Sequence, residues 1–346
     1  MKNLVKLGMI ATLFVLISFV ACQKEQTNSV TPTVTTHSFK LQNVEVVDGR
    51  LVFKTESDLN TLLDEMFNNQ NSLENFDKHF AGFSSQYEAF NRFSDEDLVK
   101  TNGDLTSFKD YVVEVKKADG IHLERVVSEP LAARLVNSEG LIQIGDVVSK
   151  MTRDYAYQFP VSKLESYKNN KNSLESISNL EKKKVERITK DIDVNGGLST
   201  RGYIVSAEFV YEYKSGKQYR KVRGELEATD PLLSSWRTAY ARVKHEKRGF
   251  WCSWSNESTY SLTINGIANL EQLTNAGTGW YSTPGSPFTL NQTNYNTSEF
   301  SINIATNDIA ETYGFTTGTS VDFKAFRKDM GTITNPQYAT CNAAQY

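Results

Sequence analysis

Between Tyr203 and Ala228 the chain alternates with a period of two, and that alternation restricts its second half to a β-sheet. Tyr203, Val205, Ala207, Phe209, Tyr211 and Tyr213 occupy every other position. Ser215-Gly216 is a turn pair, and Tyr219, Lys221, Val222, Gly224, Leu226 and Ala228 return the chain. A period of two sends successive side chains to opposite faces of a pleated ribbon, a pattern that a helix of 3.6 residues per turn cannot satisfy. The apolar parity switches between Lys221 and Val222, so a β-bulge is expected there. Further strands are predicted over Trp236–Val243, Phe250–Trp254, Tyr260–Ile264, Phe300–Ala305 and Ser320–Phe326, separated by short turns rich in Asn, Gly and Thr. Short strands at such spacing predict an antiparallel sandwich. With 19 Phe and 16 Tyr, much of the burial must come from aromatic rings.

The first half changes period. Val44, Val46 and Val47 lead into the turn dipeptide Asp48-Gly49, and Leu51-Val52-Phe53 follows, which predicts a hairpin. Thr55-x-x-Asp58 then resembles a capping box, with Leu59, Leu62, Leu63, Met66 and Phe67 on one helical face. A second series, Phe76, Phe80, Phe83, Tyr87, Phe90 and Phe93, keeps the three-and-four spacing of core-facing helices and is interrupted at Gly82. Asp95-Glu96-Asp97 reads as a solvated helix start rather than a metal site. Tyr111–Val115 is predicted to be a strand, and Leu135–Asp146 a hairpin around Asn137 to Gly140. From Ser162 to Thr200 the composition turns to Lys, Asn, Ser and Glu. A short exposed helix is expected from Leu174, Ile177 and Leu180 beside the charged run Glu181–Arg187, with a domain boundary at Asn195-Gly196-Gly197. The expected fold class is therefore α+β. A small helix-containing N-terminal domain (39–161) and a polar linker (162–200) precede a C-terminal antiparallel β-sandwich-like domain (201–346).

The start of the chain gives an address. Lys2 and Lys6 precede the apolar run Met9–Val20, which ends at Ala21-Cys22. That is the layout of a signal peptide (1–21), too short in its apolar part for a comfortable span. Cys22 resembles the acylated first residue of a bacterial lipoprotein, although Phe19 stands where that motif usually carries Leu. Residues 22–38, polar and Thr-rich, read as a lipidated tether. Lys24-Glu25 is faintly similar to the charged export tag of Bacteroidetes surface lipoproteins. The Asp that retains some lipoproteins at the inner membrane does not follow Cys22. The expected location is the cell envelope, as an outer-membrane lipoprotein facing the periplasm or exposed at the surface.

A wider resemblance rests on two segments. Asp48-Gly49-Arg50-Leu51-Val52-Phe53 with its helix, and Val136-Asn137-Ser138-Glu139-Gly140-Leu141-Ile142-Gln143-Ile144-Gly145-Asp146, together resemble a family of uncharacterised putative Bacteroidetes envelope lipoproteins, a domain of unknown function. The resemblance covers roughly Val44 to Thr152. It implies an envelope lipoprotein and supplies no catalytic residues.

Charge and motif content narrow the chemistry. The formal charge is −3, and loss of Lys2 and Lys6 with the signal peptide gives −5 (−3 minus 2), so nothing draws the chain to nucleic acid. No second run could span a bilayer, which leaves the lipid as the membrane partner. Once Cys22 is spent on lipid, Cys252 and Cys341 remain as an even pair, expected to form a disulfide or else to be two buried thiols. His37, His79, His122 and His245 have no zinc-site spacing, and neither a G-x-S-x-G elbow nor a phosphate-binding loop is present, so no metal, cofactor or catalytic residue is assigned. Lys244-His245-Glu246-Lys247-Arg248 reads as a solvated hairpin end.

The richest constellation is aromatic: Trp236, Tyr240, Phe250, Trp251, Trp254, Trp280 and Tyr281. Core packing is the bland reading of these rings. The sharper one puts Trp251 on the strand face opposite Phe250, Cys252 and Trp254, and Trp280-Tyr281 in a loop, as flat apolar surfaces for ligand binding. The function expected is that of a lipid-anchored, non-enzymatic module binding a glycan or an envelope protein. The alternative is a secreted hydrolase built from scattered carboxylates, whose pairing leaves no sequence spacing.

Overall fold

The computed structural model describes Phe39 and residues 43–170, 174, 177–184, 192–194, 201–203, 206–229, 237–249, 252–275, 280–307, 312–316, 318–331 and 338–342. Residues 1–38, which hold the expected signal peptide, Cys22 and tether, lie outside the described residues. From His37 onward the chain packs as one unit.

The amino-terminal half opens with the expected hairpin. Strands β1 (Val44–Val47) and β2 (Arg50–Phe53) pair with Val47 opposite Arg50, so the loop is just Asp48 (φ 47°) and Gly49 (φ 71°). Both are left-handed, as a two-residue turn matched to strand twist requires. Helix α1 (Glu56–Asn68) begins at the expected box: the Thr55 hydroxyl accepts from the Asp58 N–H, and the Asp58 carboxylate accepts from the Thr55 N–H. Its Leu59, Leu62, Leu63 and Met66 are buried against Leu51, Phe53 and Ile142. The aromatic series then breaks near Gly82 into a 3-10 segment, Gln70–His79, and helix α2 (Gln86–Arg92), with Phe76, Phe80, Phe83, Tyr87 and Phe90 all buried. Asp95-Glu96-Asp97 form the first turn of α3 (Asp95–Lys100), capped by a Ser94–Asp97 box.

Next come β3 (Val112–Lys117), β4 (Gly120–Arg125), α4 (Pro130–Leu135), β5 (Leu141–Ile144), β6 (Val147–Met151), β7 (Tyr155–Pro160), α5 (Leu164–Asn169) and β8 (Glu181–Lys184). Two expectations change here. The hairpin turns at Gly145-Asp146, between β5 and β6, and not around Asn137 to Gly140. Leu135 closes α4, because Pro130 suits a helix start and the Glu129 carboxylate caps the Ala132 N–H. Asn137 then turns the chain, its Oδ1 accepting from the N–H groups of Glu139 and Leu141. Glu181–Lys184 is not the charged flank of an exposed helix but an exposed edge strand on β7. Lysines there discourage further strand pairing. The six-stranded sheet runs β1-β2-β5-β6-β7-β8.

Apart from a 3-10 turn at Lys328–Met330, the regular elements described in the carboxyl-terminal half are strands: β9 (Ile192–Val194), β10 (Arg201–Tyr203), β11 (Ser206–Ser215), β12 (Gln218–Thr229), β13 (Arg237–Arg248), β14 (Trp254–Asn256), β15 (Thr259–Ala268), β16 (Leu270–Asn275), β17 (Trp280–Pro284), β18 (Phe288–Thr297), β19 (Glu299–Asn307), β20 (Thr312–Phe315), β21 (Ser320–Phe326) and β22 (Tyr338–Asn342). They form a five-stranded sheet (β10-β9-β17-β16-β20), a four-stranded sheet (β18-β15-β21-β22) and a seven-stranded sheet (β11-β12-β13-β14-β4-β3, with β19 also on β13). Val222, Leu226, Ala241 and Val243 of the seven-stranded sheet share one core with Leu262, Ile264, Val321 and Phe323 of the four-stranded sheet, and with Leu273 and Phe315 of the five-stranded one. The seven- and four-stranded sheets approach closely at Gly224, where a Cβ would overlap the Phe323 ring.

The bulge expected after Lys221 does not occur, since β11 and β12 pair without interruption from Ser206↔Glu227 to Ser215↔Gln218. The parity switch reflects two buried faces, Val222, Gly224 and Leu226 on one and Lys221, Arg223 and Glu225 on the other. The irregular register lies between Ala239 and Tyr240, where β13 meets β19. Gly196 and Gly197, the expected boundary, lie outside the described residues. Segments on either side of it share the seven-stranded sheet through the parallel pairing of Trp254 with His122.

The expected disulfide is absent: Cys252 and Cys341 are both free thiols. Cys341 is buried on β22 opposite Phe323, whereas Cys252 is exposed in the loop before β14 with φ 59°. Cys252 precedes a strand of the seven-stranded sheet while Cys341 lies in the four-stranded one, and burial pushes the Cys341 thiol up to about 12.

Candidate functional site

The second buried face of the seven-stranded sheet carries charge. Lys221 lies opposite Glu246, and Glu225 opposite Arg242, both favourable cross-strand pairs. Arg223 faces Lys244, a like-charged pair offset by carboxylates: Glu246 and Glu124 lie 3.0 and 3.2 Å from Arg223, and Glu225 lies 3.4 Å from Lys244. Glu299 of β19 meets Arg125 of β4 at 3.0 Å. Lys117 of β3 reaches Glu208 of β11 at 2.5 Å, so the two ends of the strand order touch and the sheet curls around its charges.

His122 sits within this lattice, 2.7 Å from Asp119 and stacked on Trp254, and the Lys221 ammonium stands over the Trp254 ring at 4.0 Å. Burial works to raise the Glu246 carboxyl, but Arg223, His122 and Lys221 outweigh it and hold it at about 2. Glu299 is likewise held at about 2, burial being outweighed by Arg125, Lys244 and Arg242. Both carboxylates stay ionised at neutral pH; Arg223 and Lys221 pair with Glu246, and Arg125 and Arg242 with Glu299. Lys244, His245 and Glu246, expected in solvent, are buried in β13, Lys244 and Glu246 in this lattice and His245 on the opposite face. Trp254 and Tyr240 belong to it too, the Tyr240 hydroxyl donating to Glu227.

An open surface lies at one end of the four-stranded sheet. Ser261 of β15 is opposite both Tyr295 and Phe326, and Phe326 is opposite Tyr338, so one row crosses all four strands. The Tyr260 ring stands edge-on to Tyr295 and Phe326 at 5.7 and 5.4 Å, and Phe326 lies 5.9 Å from Tyr338. Phe326 is 2% exposed, while Tyr295 and Tyr338 are 50% and 45% exposed. A covered ring thus braces two open ones.

Beside the row is a polar depression lined by Ser258, Thr259, Tyr260, Asn296, Arg327, Lys328 and Asp329. Arg327 donates to Glu257 at 2.7 Å and to Asp329 at 2.9 Å, and Ser215 also donates to Asp329. Glu257 accepts two further bonds from Arg220, at 2.7 and 3.2 Å. The Glu257 carbonyl lies 2.9 Å from His245 Nδ1 and can only accept, so Nδ1 carries the proton and Nε2 accepts from the Tyr213 hydroxyl at 2.6 Å. Burial lowers the His245 pKa and pushes the Tyr213 hydroxyl up to about 12, which keeps both neutral. This bonded frame fixes the depression from behind.

The rings singled out in the sequence are distributed differently. Trp236, Phe250 and Trp251 lie outside the described residues. Trp280 and Tyr281 are not in a loop but in β17, paired with Asn275 and Thr274 of β16; only their backbone is described. Tyr260, Tyr295 and Tyr338 were not anticipated as a group, because only strand pairing brings them together. The outward alternation of Thr289, Asn291, Thr293 and Tyr295 in β18 was the one available signal. Among the described residues no group of His, Cys, Asp and Glu is arranged to hold a metal, and no helix is long and apolar enough to cross a membrane.

The chain is thus mostly β-sheet, in several sheets with few short helices, and it presents an aromatic and polar surface at one sheet end. No protein-family model matches it, and no curated protein matches it. Among solved structures it is similar to the crystal structure of a DUF4848 family protein from Bacteroides thetaiotaomicron, with 16% identity and a TM-score of 0.26, over 86% of this chain and 98% of that one.

Proposed function

We propose that this protein is a lipid-anchored component of the cell envelope that binds a glycan on the row formed by Tyr295, Tyr260 and Tyr338, at the end of a sandwich-like carboxyl-terminal half. The anchor rests on Lys2, Lys6, the apolar run and Cys22, and the outer membrane, facing either the periplasm or the exterior, is the proposed site. The sandwich reading rests on the core shared between the seven- and four-stranded sheets. A helix-bearing amino-terminal half completes the α+β arrangement.

One observation carries the binding reading: two half-open tyrosine rings flank a covered ring, beside a depression of hydrogen-bonding side chains. A pyranose ring has an apolar face and a rim of hydroxyls, so it needs a flat ring to stack on and polar groups within reach. The test is a screen of the purified chain against glycans and envelope proteins, repeated with Tyr295→Ala and Tyr338→Ala. Each substitution is expected to weaken glycan binding about tenfold or more with the fold intact. Glycan binding that survives both but is lost in Trp251→Ala or Trp280→Ala would move the site to those rings. Capture of a protein in place of a glycan would overturn the reading, and turnover of a bound glycan would favour the hydrolase.

A further inference from the structure

The charges around the tyrosine row do not cancel. Arg327 is committed to Glu257 and Asp329, and Asp329 also accepts from Ser215. Glu257 is committed to Arg220 and Arg327. Lys328 differs: it is exposed, its ammonium stands 5.1 Å from the centre of the Tyr260 ring, and no carboxylate among the described residues pairs with it. In a chain of net charge −3, the lining of this depression thus ends in one uncompensated cation placed over the middle of an aromatic row.

Geometry adds a length requirement. Tyr295 and Tyr338 stand on the outer strands of four, three inter-strand intervals apart, or about 14 Å at the usual strand spacing. A single sugar covers one open ring and leaves the other in water. A linear oligosaccharide laid across the strands reaches both, and its central unit then passes Tyr260 and Lys328.

We propose that the ligand is a linear acidic oligosaccharide. Its outer sugars stack on Tyr295 and Tyr338, and a carboxylate or sulfate on a central sugar pairs with the Lys328 ammonium. This rests on the glycan reading above and narrows it. The Lys328 contact is at the rim, so it contributes modestly to affinity and strongly to selectivity and salt dependence.

Isothermal titration of the full chain with a pectic oligogalacturonate, a heparin-derived sulfated oligosaccharide and a neutral cello-oligosaccharide of matched length tests it. At least one acidic ligand is expected to bind more tightly than the neutral one and to weaken as salt rises. The two acidic arms tell carboxylate from sulfate. Lys328→Gln should cost that ligand about threefold to fivefold in affinity and flatten its salt dependence, leaving neutral-glycan affinity unchanged. Tyr295→Ala and Tyr338→Ala should weaken every oligosaccharide. Equal binding of neutral and acidic ligands, unaffected by Lys328→Gln, overturns the acidic assignment and leaves the glycan reading standing. Acidic binding that ignores both tyrosine substitutions is held by charge alone and also overturns it. If none of the three ligands binds, both readings fall.

Discussion

Replacing Arg223 by Met is expected to destabilise the protein by about 3 to 5 kcal/mol, the usual cost of leaving a buried charge without its partner. Arg223 has no exposed surface, and its guanidinium lies 3.0 Å from Glu246, 3.2 Å from Glu124 and 3.5 Å from Glu208. Without it, the ion-pair partners left to Glu246 among the described residues stand farther off, His122 at 3.5 Å and Lys221 at 3.8 Å. The Glu246 carboxyl is held at about 2 against an ordinary 4.5, with Arg223 the largest of the cations that outweigh its burial, so the folded state gains stability where this carboxyl is ionised. Because the folded pKa is depressed, this stability is complete above about pH 5 and is lost as pH falls toward 2. Urea unfolding of wild type and variant, followed by circular dichroism, measures both effects. The variant should have a lower midpoint at pH 7, an unchanged slope, and a smaller loss between pH 5 and pH 3. The double substitution Arg223→Met with Glu246→Leu removes charge and counter-charge together and should recover much of the stability. A single-variant cost below about 1 kcal/mol at pH 7, typical of a solvated pair, would refute the claim that this face is dry.

Further outcomes are expected elsewhere. Cys22→Ser should move the protein from the membrane fraction to the soluble one, and unchanged association and processing would remove the lipid anchor. Gly224→Ala should cost about 1 to 3 kcal/mol in thermal or urea unfolding, because its methyl group forces the Phe323 ring aside. In the native protein a maleimide should label Cys252 at once and Cys341 only on unfolding, and a Cys252–Cys341 peptide under non-reducing mapping would contradict the free thiols.

What could be read in the sequence was local. The Asp48-Gly49 turn needs left-handed residues, the Thr55–Asp58 box needs two side chains three apart, and the Ser320–Phe326 strand matches its predicted ends, since each is decided by neighbours in the chain. The charged faces of β12 and β13 were not legible. Alternation reports that a strand has two faces but not what covers the second. The parity switch between Lys221 and Val222 therefore looked like a bulge, and the residues around His245 like a hairpin end. Gly279 and Pro284 suggested a loop around Trp280, although the backbone there pairs as β17. The tyrosine row was hidden for a simpler reason: Tyr260, Tyr295 and Tyr338 come from three separate strands, and only the register that sets Ser261 opposite Tyr295 and Phe326, and Phe326 opposite Tyr338, gathers them at one sheet end.

The pairing of His122 with Trp254 joins positions 132 residues apart (254 − 122). Closing a loop of that length must precede any reward from the contacts it creates, so sheets of this kind assemble slowly. As the chain is synthesised, β3 and β4 emerge with His122, Glu124 and Arg125 still lacking the partners that β12, β13 and β19 supply. Those early strands wait in water meanwhile, and the native sheet can close only after residue 307, the end of β19, has left the ribosome.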